Sequence, residues 1–381
     1  MQVAITYYQL LDRDGNEQLI GGIESYLLNL ARLCNEIGYK PVLFQSSNAP
    51  FRRRVEGLDV VGVPAGNSSI ESQKNKLFNE ATAQMRGKET IFIFGADHCS
   101  VRTGDPKAIA IQHGVSWDLP SKYFTGSRLL KNGPGAVFKK LQKLARAKRY
   151  FENCRSRVCV DYNFLNWYRT YSAEELRGNV WVIPNATHVA NPGQIAERQK
   201  PPNSALRILF ARRFMPYRGT TLMAEAAQDI LARNPNLTFT FAGEGGEEER
   251  LRARFAGDRR VSFIKYQPHE AVSVHLQHDI AVIPSVASEG TSFAVAEAMG
   301  AGCAVIATPV GGISNMIIDG YNGVLVLPDT RSLIAGFETL IADSEFRYQI
   351  AKRAYETAVS AFNVHTWQRR WKAVLEQVAK E

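Results

Sequence analysis

The chain has 381 residues, of which 45% are hydrophobic and 22% are charged. This length favours two domains over one core, and the composition excludes a disordered, collagen-like or small disulfide-stapled protein. The net charge of +9 lies mostly in residues 1–190, which carry 25 Lys and Arg against 17 Asp and Glu. Within 122–157, eleven basic residues accompany one acid. Such a segment is either a solvated face or a contact with an anionic partner such as membrane or nucleic acid.

The amino terminus and the cysteines point to a reducing compartment. Residues 1–8 lack the basic region and the long apolar stretch of a signal peptide, and no stretch is apolar enough to span a bilayer. The five cysteines are odd in number and lack Cys-x-x-Cys spacing, which argues against a disulfide framework or a zinc ribbon. We therefore expect a cytoplasmic protein.

Short apolar strands alternate with helical stretches in the first half, which is typical of a parallel sheet covered by helices on both faces. Apolar residues at helical spacing predict a helix over 22–38, with Gly38 as its stop. The predicted strands are 3–8, 41–44, 60–63, 90–94, 108–112, 157–160 and 181–183.

A Pro- and Asn-rich stretch over 191–204 is the best linker candidate, and the α/β pattern then begins again. We predict an amino-terminal domain over 1–190, a second domain over 191–363, and a carboxyl-terminal helix, about 364–381, that rejoins the first. Two doubly wound units in tandem predict a cleft, with ligands at the carboxyl ends of the strands. The second domain's predicted strands are 207–210, 237–242, 261–264, 280–284 and 304–308, and its helices include 220–234 and 292–299.

Two glutamates lie on either side of the start of helix 292–299. We expect Glu289 at the lip of a pocket and Glu297 one turn deeper, where its carboxylate can bind a diol. The alternative is an exposed Glu297 and an ordinary acid at the helix start; the small residues and the doubled glycine turn that follow favour the pocket. Ser292 or Thr291 can cap the helix, which leaves N–H groups and the positive end of the dipole for an anion. The residues of this predicted anion site are Gly290, Thr291, Ser292 and Phe293.

Basic and small residues follow other predicted strands. Arg212 and Arg218 come after strand 207–210 and suit a diphosphate, unless they are merely surface cations. Gly21 and Gly22 open the first helix, either to let a phosphate or acceptor approach the backbone or simply to form a turn.

His113 follows strand 108–112 and is either a cleft residue or a structural histidine. His275 and His278 share a helix face but lack a third ligand, so a solvated face is favoured over a metal site.

The stretch from Pro284 to Val326 resembles the Glu-x7-Glu region of retaining family-four glycosyltransferases of the GT-B fold. Other landmarks of that family occur in the expected order, and the resemblance covers essentially the whole chain. These landmarks are Gly21-Gly22, Gln112-His113-Gly114, Ile183-Pro184-Asn185, Arg212 with Arg218-Gly219, and Phe241-Ala242-Gly243-Glu244-Gly245.

The resemblance implies two tandem Rossmann-like domains that face each other across a cleft. It also implies transfer of a hexose-type sugar from a nucleotide-sugar donor to a saccharide or lipid-linked saccharide acceptor, with retention of configuration, as in polysaccharide biosynthesis. We expect no metal and no further cofactor. By resemblance, His113 contacts the transferred sugar, Tyr266 lines the base pocket, and Asn185 belongs to the interdomain edge on the acceptor side. Glu289 is expected to hold the sugar, and Glu297 the ribose hydroxyls.

Two alternatives remain open. A non-catalytic GT-B-like subunit would bind a nucleotide or a glycan without turnover. In the basic segment, Phe138, Leu141, Leu144 and Ala145 fall at helical spacing among lysines and arginines, so this helix either contacts anionic lipid on the inner face of the cell membrane or is a soluble basic helix. Nucleic acid is not expected, because no recognised binding module accompanies the charge.

Overall fold

The computed structural model describes residues 1–19, 21–66, 68–115, 117–118, 120, 133–172, 175–197, 205–287 and 289–381. The chain divides into two compact units, each with its own sheet. The first comprises Met1–His113, Leu141–Ile183 and Trp367–Glu381, and the second comprises Gly114–Lys140 and Pro184–Thr366.

The sheet of the first unit has the strand order β3-β4-β2-β1-β5-β6-β7-β8. All neighbouring strands are parallel except β3 and β4, which form an antiparallel pair. Strand β3 was not predicted, because its three central residues are exposed arginines and no apolar pattern marks it. The strands are β1 Gln2–Thr6, β2 Lys40–Ser47, β3 Phe51–Val55, β4 Leu58–Pro64, β5 Thr90–Phe94, β6 Ala108–Gln112, β7 Ser156–Cys159 and β8 Asn179–Val182.

The sheet of the second unit is parallel throughout, with the order β11-β10-β9-β12-β13-β14. Its strands are β9 Leu206–Ala211, β10 Leu237–Ala242, β11 Val261–Ile264, β12 Ile280–Ile283, β13 Ala304–Ala307 and β14 Val324–Leu325. Because parallel strands end at the same edge of a sheet, the residues that follow β9, β12 and β13 are brought close together. The α/β prediction is thus confirmed for both halves of the chain.

Helices cover the sheets and bury apolar faces against them. Those before residue 183 are α1 Gly22–Glu36, α2 Ile70–Met85, α3 Gly133–Phe151 and α4 Tyr162–Tyr171. The later ones are α5 Pro192–Glu197, α6 Thr220–Arg233, α7 Glu248–Arg254, α8 Ala271–Leu276, α9 Phe293–Gly300, α10 Thr330–Ala342, α11 Ser344–Ala361 and α12 Val364–Ala379. No helix among the described residues has the length and apolar character needed to cross a membrane.

The predicted linker over 191–204 is only partly described. Its first half forms α5, and residues 198–204 lie outside the described residues. Pro192 stands at the first position of α5, where its missing N–H has no helical partner to lose. A proline-rich composition therefore did not exclude a short helix here.

A close backbone approach joins the turn after β13 to the loop after β12. Gly311 has φ +57°, and a Cβ on it would lie 2.0 Å from the carbonyl oxygen of Glu289. The next residue, Gly312, donates its N–H to that same oxygen at 3.1 Å. Only glycine fits at position 311, and the contact fixes the backbone of Glu289.

We expect Gly311→Ala to lower the free energy of unfolding by about 2–5 kcal/mol, because the methyl group adds a backbone clash to left-handed strain. Gly320→Ala is the matched control: its φ is +69°, but a methyl group at this position would meet no atom within 4 Å. That control should cost about 1–2 kcal/mol from strain alone. Urea denaturation of both variants measures the difference, and equal losses would contradict the packing argument.

Candidate active site

Two arginines converge on one buried carboxylate at the carboxyl edge of the second sheet. Arg212 directly follows β9, and Arg218 ends the short 3₁₀ turn Pro216–Arg218 that precedes α6. Nη2 of Arg212 and Nη1 of Arg218 both pair with Oε1 of Glu289. The side chains of Arg212 and Glu289 are each 7% exposed, whereas that of Arg218 is 25% exposed. The two predicted cations therefore belong to a buried ionic cluster whose anion is Glu289.

Two serine hydroxyls complete the cluster. Ser285 Oγ donates to Glu289 Oε1 at 2.6 Å and accepts from Arg212 Nη2 at 2.9 Å. Ser292 Oγ accepts from Arg212 Nη1 at 3.1 Å. Ser285 was not predicted as a site residue, although its place just after β12 and Pro284 was a signal.

The predicted capping role of Ser292 is wrong. Ser292 occupies the N-cap position of α9, but its side chain makes no capping hydrogen bond within the described part of the chain. The hydroxyl of Ser292 is taken by Arg212, a charged donor that forms the stronger hydrogen bond. The amino end of α9 therefore keeps N–H groups without an intrahelical partner beside the arginine cluster.

The ionisation of Glu289 follows from its partners. Burial alone would raise its pKa, but the guanidinium groups of Arg212 and Arg218 and the hydroxyl of Ser285 together hold the pKa below its usual value. Burial lowers the pKa of Arg212, while Glu289 opposes that shift. With two guanidinium groups and one carboxylate ionised, the cluster keeps one net positive charge.

The predicted depths of the two glutamates are reversed. Glu289, expected at a lip, is 5% exposed, whereas Glu297 on α9 is only partly buried. Glu289 is the more buried of the two because Arg212, Arg218 and Ser285 enclose its carboxylate. Burial still raises the pKa of Glu297 to about 7, with Arg212 acting in the opposite direction.

Tyr266 lies in the same electrostatic neighbourhood as Glu297 and Arg212. Burial, and then the charge of Glu297, raise the pKa of the Tyr266 phenol, whereas Arg212 lowers it. The ring packs against a small apolar cluster that includes Leu209 and Val274. Tyr266, which the sequence analysis placed in the site only by resemblance, thus lies near two other predicted site residues.

Asn185 tethers the loop that begins α9. Its Nδ2 donates to the carbonyl oxygen of Thr291 at 2.7 Å, and its Oδ1 is buried without a hydrogen-bond partner among the described residues. Gly290 is packed against Gly312, where a Cβ would lie 2.5 Å from the Gly290 carbonyl carbon. Asn185, Gly290 and Thr291 are thereby brought together, with Phe293 as the first residue of α9.

The remaining predicted site residues belong to the first unit. Gly21 is the N-cap of α1 with an extended backbone, φ −166°, so its position does not require glycine, and Gly22 begins the helix. His113 follows β6, and its Nε2 lies 2.8 Å from the carbonyl oxygen of Gly95. Because a carbonyl only accepts, Nε2 carries the hydrogen, and Nδ1 is the acceptor nitrogen. Burial lowers the pKa of His113 to about 4, so its imidazole is neutral at physiological pH.

The expectation of a solvated face at His275 and His278 is wrong. The two side chains are 1% and 5% exposed. Nδ1 of His275 bonds to the carbonyl of Ala271, and Nδ1 of His278 to that of Val274, both at 2.8 Å. His278 also contacts Thr240 Oγ1 at 2.8 Å through Nε2. These histidines satisfy buried polar groups between α8 and the sheet.

We expect Glu289→Gln to destabilise the protein by about 3–5 kcal/mol, because it leaves two guanidinium groups without their buried anion. Glu244→Gln is the matched control, since it breaks the Lys265–Glu244 pair, whose side chains are 60% and 66% exposed. The control should change stability by less than about 1 kcal/mol. Urea denaturation decides, and a stable Glu289→Gln variant would show that the cluster contributes little.

Comparison with known proteins connects this region to a family. The family model described as glycosyl transferases group 1 matches residues 194–357. A phosphatidyl-myo-inositol mannosyltransferase of Mycolicibacterium smegmatis is 24% identical over 373 residues, which cover 94% of this chain and 89% of the relative. A lipopolysaccharide 1,2-N-acetylglucosaminetransferase of Salmonella typhimurium is 26% identical over 48% of this chain and 53% of its own length. The chain spans about half the length, or less, of the other curated relatives it matches.

Solved structures of similar fold extend over the whole chain. Sucrose-phosphate synthase of Thermosynechococcus elongatus has a TM-score of 0.74 at 17% identity, and the match covers 99% of this chain and 98% of that one. HepE of Anabaena, solved in complex with UDP-glucose, has a TM-score of 0.69 at 16% identity and covers 99% of this chain and 100% of that one. The chain therefore has the two-domain GT-B fold, and its residues 194–357 match the family of group 1 glycosyl transferases.

Proposed function

We propose that the chain transfers a hexose-type sugar from a nucleotide-sugar donor to a saccharide or lipid-linked saccharide acceptor, with retention of configuration. The observation that carries the proposal is the buried cluster of Arg212, Arg218 and Glu289 with one net positive charge, inside the segment that matches the family. A departing nucleoside diphosphate develops negative charge, which a preorganised cationic site stabilises.

The two arginines serve the diphosphate in different ways. Arg218 keeps a quarter of its side chain exposed and is the arginine that reaches a phosphate oxygen directly. Arg212 is buried and held in place by Ser285, Ser292 and Glu289, so its positive charge acts on the diphosphate without a movement of the side chain. The amino end of α9 adds the positive end of its dipole. This arrangement supports a donor site that requires no metal.

Glu297 and Tyr266 suit the nucleoside. The carboxylate of Glu297 accepts two hydrogen bonds from the ribose diol, and the neighbouring Tyr266 ring offers an apolar surface for the base. A diol binds the ionised carboxylate, because only that form accepts from both hydroxyls. With the pKa of Glu297 at about 7 in the absence of donor, donor binding must therefore release protons near neutral pH.

His113 supplies an acceptor nitrogen to a sugar hydroxyl. Its Nε2–H is engaged by the Gly95 carbonyl, so Nδ1 is the nitrogen that can meet a ligand. A neutral imidazole in this tautomer orients a hydroxyl group and adds no charge at the reacting carbon. The buried Oδ1 of Asn185, which lacks a partner among the described residues, is a second acceptor for a ligand hydroxyl.

A thermal-shift screen against UDP-, GDP- and dTDP-sugars identifies the donor, since a bound donor stabilises the fold by mass action. Glu297→Gln should then weaken the donor complex by about 1.5–3 kcal/mol, the range for hydrogen bonds to a charged group.

For the unaltered protein, donor affinity should increase as pH rises through about 7, because deprotonation of Glu297 precedes binding. The variant should lose this pH dependence in calorimetric titrations.

The outcomes separate the alternatives. Donor binding without transfer or hydrolysis would favour a non-catalytic nucleotide- or glycan-binding subunit. Unchanged donor affinity in a folded Glu297→Gln variant would exclude the diol role of Glu297. A failure of every nucleotide sugar to bind would contradict the proposed function.

We also propose that α3 contacts an anionic membrane surface that carries a lipid-linked acceptor. Val137, Phe138 and Leu141 are 58%, 61% and 50% exposed, an unusual density of solvent-facing apolar side chains on one helix. Lysines and arginines occupy much of the remaining surface, and each basic residue near an anionic surface contributes about 1 kcal/mol. The predicted basic residues over 121–132 lie outside the described residues.

Sedimentation with phosphatidylglycerol-containing vesicles should recover the protein at low salt, and high salt or pure phosphatidylcholine should release it. A Phe138→Ser, Leu141→Ser double variant should sediment several-fold less, because the apolar insertion is lost. Ile318→Ser, which removes a 66% exposed apolar side chain elsewhere, is the control and should sediment normally. Equal sedimentation on both lipids would contradict the proposal.

A further inference from the structure

The imidazole of His113 is held by an aromatic contact as well as by a hydrogen bond. The rings of Tyr26 and His113 meet edge to face, with centroids 5.1 Å apart and planes at 87°. The Nε2–H of His113 donates to the Gly95 carbonyl at 2.8 Å. The hydrogen bond fixes the direction in which Nε2 points, and the aromatic contact fixes the plane of the ring. The direction of the Nδ1 lone pair therefore depends on both contacts.

Tyr26 is itself fixed by the carboxyl-terminal helix. It is 1% exposed on α1, and its hydroxyl accepts a hydrogen bond from Trp371 Nε1 at 2.7 Å. The indole of Trp367 packs on the same ring at 5.2 Å and 88°, and that of Trp371 at 6.2 Å and 75°. Trp371 is fully buried, so its N–H has no water to replace the tyrosine oxygen.

The tryptophans come from the last helix of the chain. Helix α12 begins at Val364 in the second unit, and its residues from Trp367 onward belong to the first. An aromatic chain thus leads from this helix through Tyr26 to the imidazole. The other groups that act on His113 electrostatically are Asp97, which raises its pKa, and His98, which lowers it.

We propose that Tyr26 and Trp371 are positioning residues for His113. Trp371 holds the Tyr26 hydroxyl, and Tyr26 holds the plane of the imidazole, so that Nδ1 points its lone pair towards a sugar hydroxyl. The carboxyl-terminal helix is thereby a structural part of the site. This inference rests on the proposed function for the role of His113, whereas the positioning itself depends only on the contacts within the first unit.

The test removes the hydrogen bond and keeps an aromatic ring at each of the two positions. Tyr26→Phe and Trp371→Phe should each lower kcat about 5- to 20-fold with donor KM within about twofold, because a displaced orienting group affects the reacting geometry more than donor binding. The double variant should lose no more than the more impaired single variant, since both changes remove the same bond. Tyr168→Phe, which deletes another buried tyrosine hydroxyl bonded to Glu152 at 2.8 Å, is the control and should keep its kcat.

Nitrogen NMR of the imidazole provides a readout that a general loss of stability would not move. In the unaltered protein His113 should be the Nε2–H tautomer at neutral pH, and in both variants its pKa should rise by about one unit as the packing around the ring loosens. Unchanged His113 resonances in a folded Trp371→Phe variant would overturn the inference, as would an unaltered kcat in both variants. If the unaltered protein transfers no sugar, the proposed function fails, and the NMR comparison alone decides whether Tyr26 and Trp371 position the ring.

Discussion

The sharing of the Glu289 carboxylate between Arg212 and Arg218 is the constraint on which the second unit's site depends. Removing a carboxylate from water costs several kcal/mol, and that cost is recovered only when its partners have good geometry. The partners come from the two ends of the connection between β9 and α6 and from the loop after β12, so two loops must take their positions together. Gly311 adds a third, because its missing side chain lets the turn after β13 pack on the Glu289 backbone.

This cluster also changes the meaning of the chain's charge. The second half of the sequence is nearly neutral, yet the cluster concentrates one positive charge where burial reduces its screening. The surplus of the first half is of another kind, since the basic residues of α3 lie on a surface beside exposed Val137 and Phe138. The charge of the arginine cluster suits a single anionic group, whereas the basic surface of α3 suits an extended anionic surface.

Much of the fold was predictable because the strands are short, apolar and regularly spaced. All strands predicted from the pattern are present with small shifts of their ends, and Glu289, Arg212 and Arg218 were identified from their places after strands. The edge strand β3 was missed, because an exposed edge rich in arginine has no apolar periodicity. His275, in α8, and His278, two residues after its end, were misplaced on the surface, because a helix of six residues is too short for its pattern to show which face is buried.

The sequence by itself determined the two α/β units, the order of their strands along the chain, and which chemically active side chains lie at strand ends. Those features follow from local periodicity and from the rule that parallel strands end at one edge. Only the tertiary structure decided that Ser292 binds Arg212 instead of capping α9, that Glu289 lies deeper than Glu297, and that Trp371 holds Tyr26 against His113. Each depends on which of several possible partners comes within hydrogen-bond distance, and that distance is set by the packing of residues far apart in the chain.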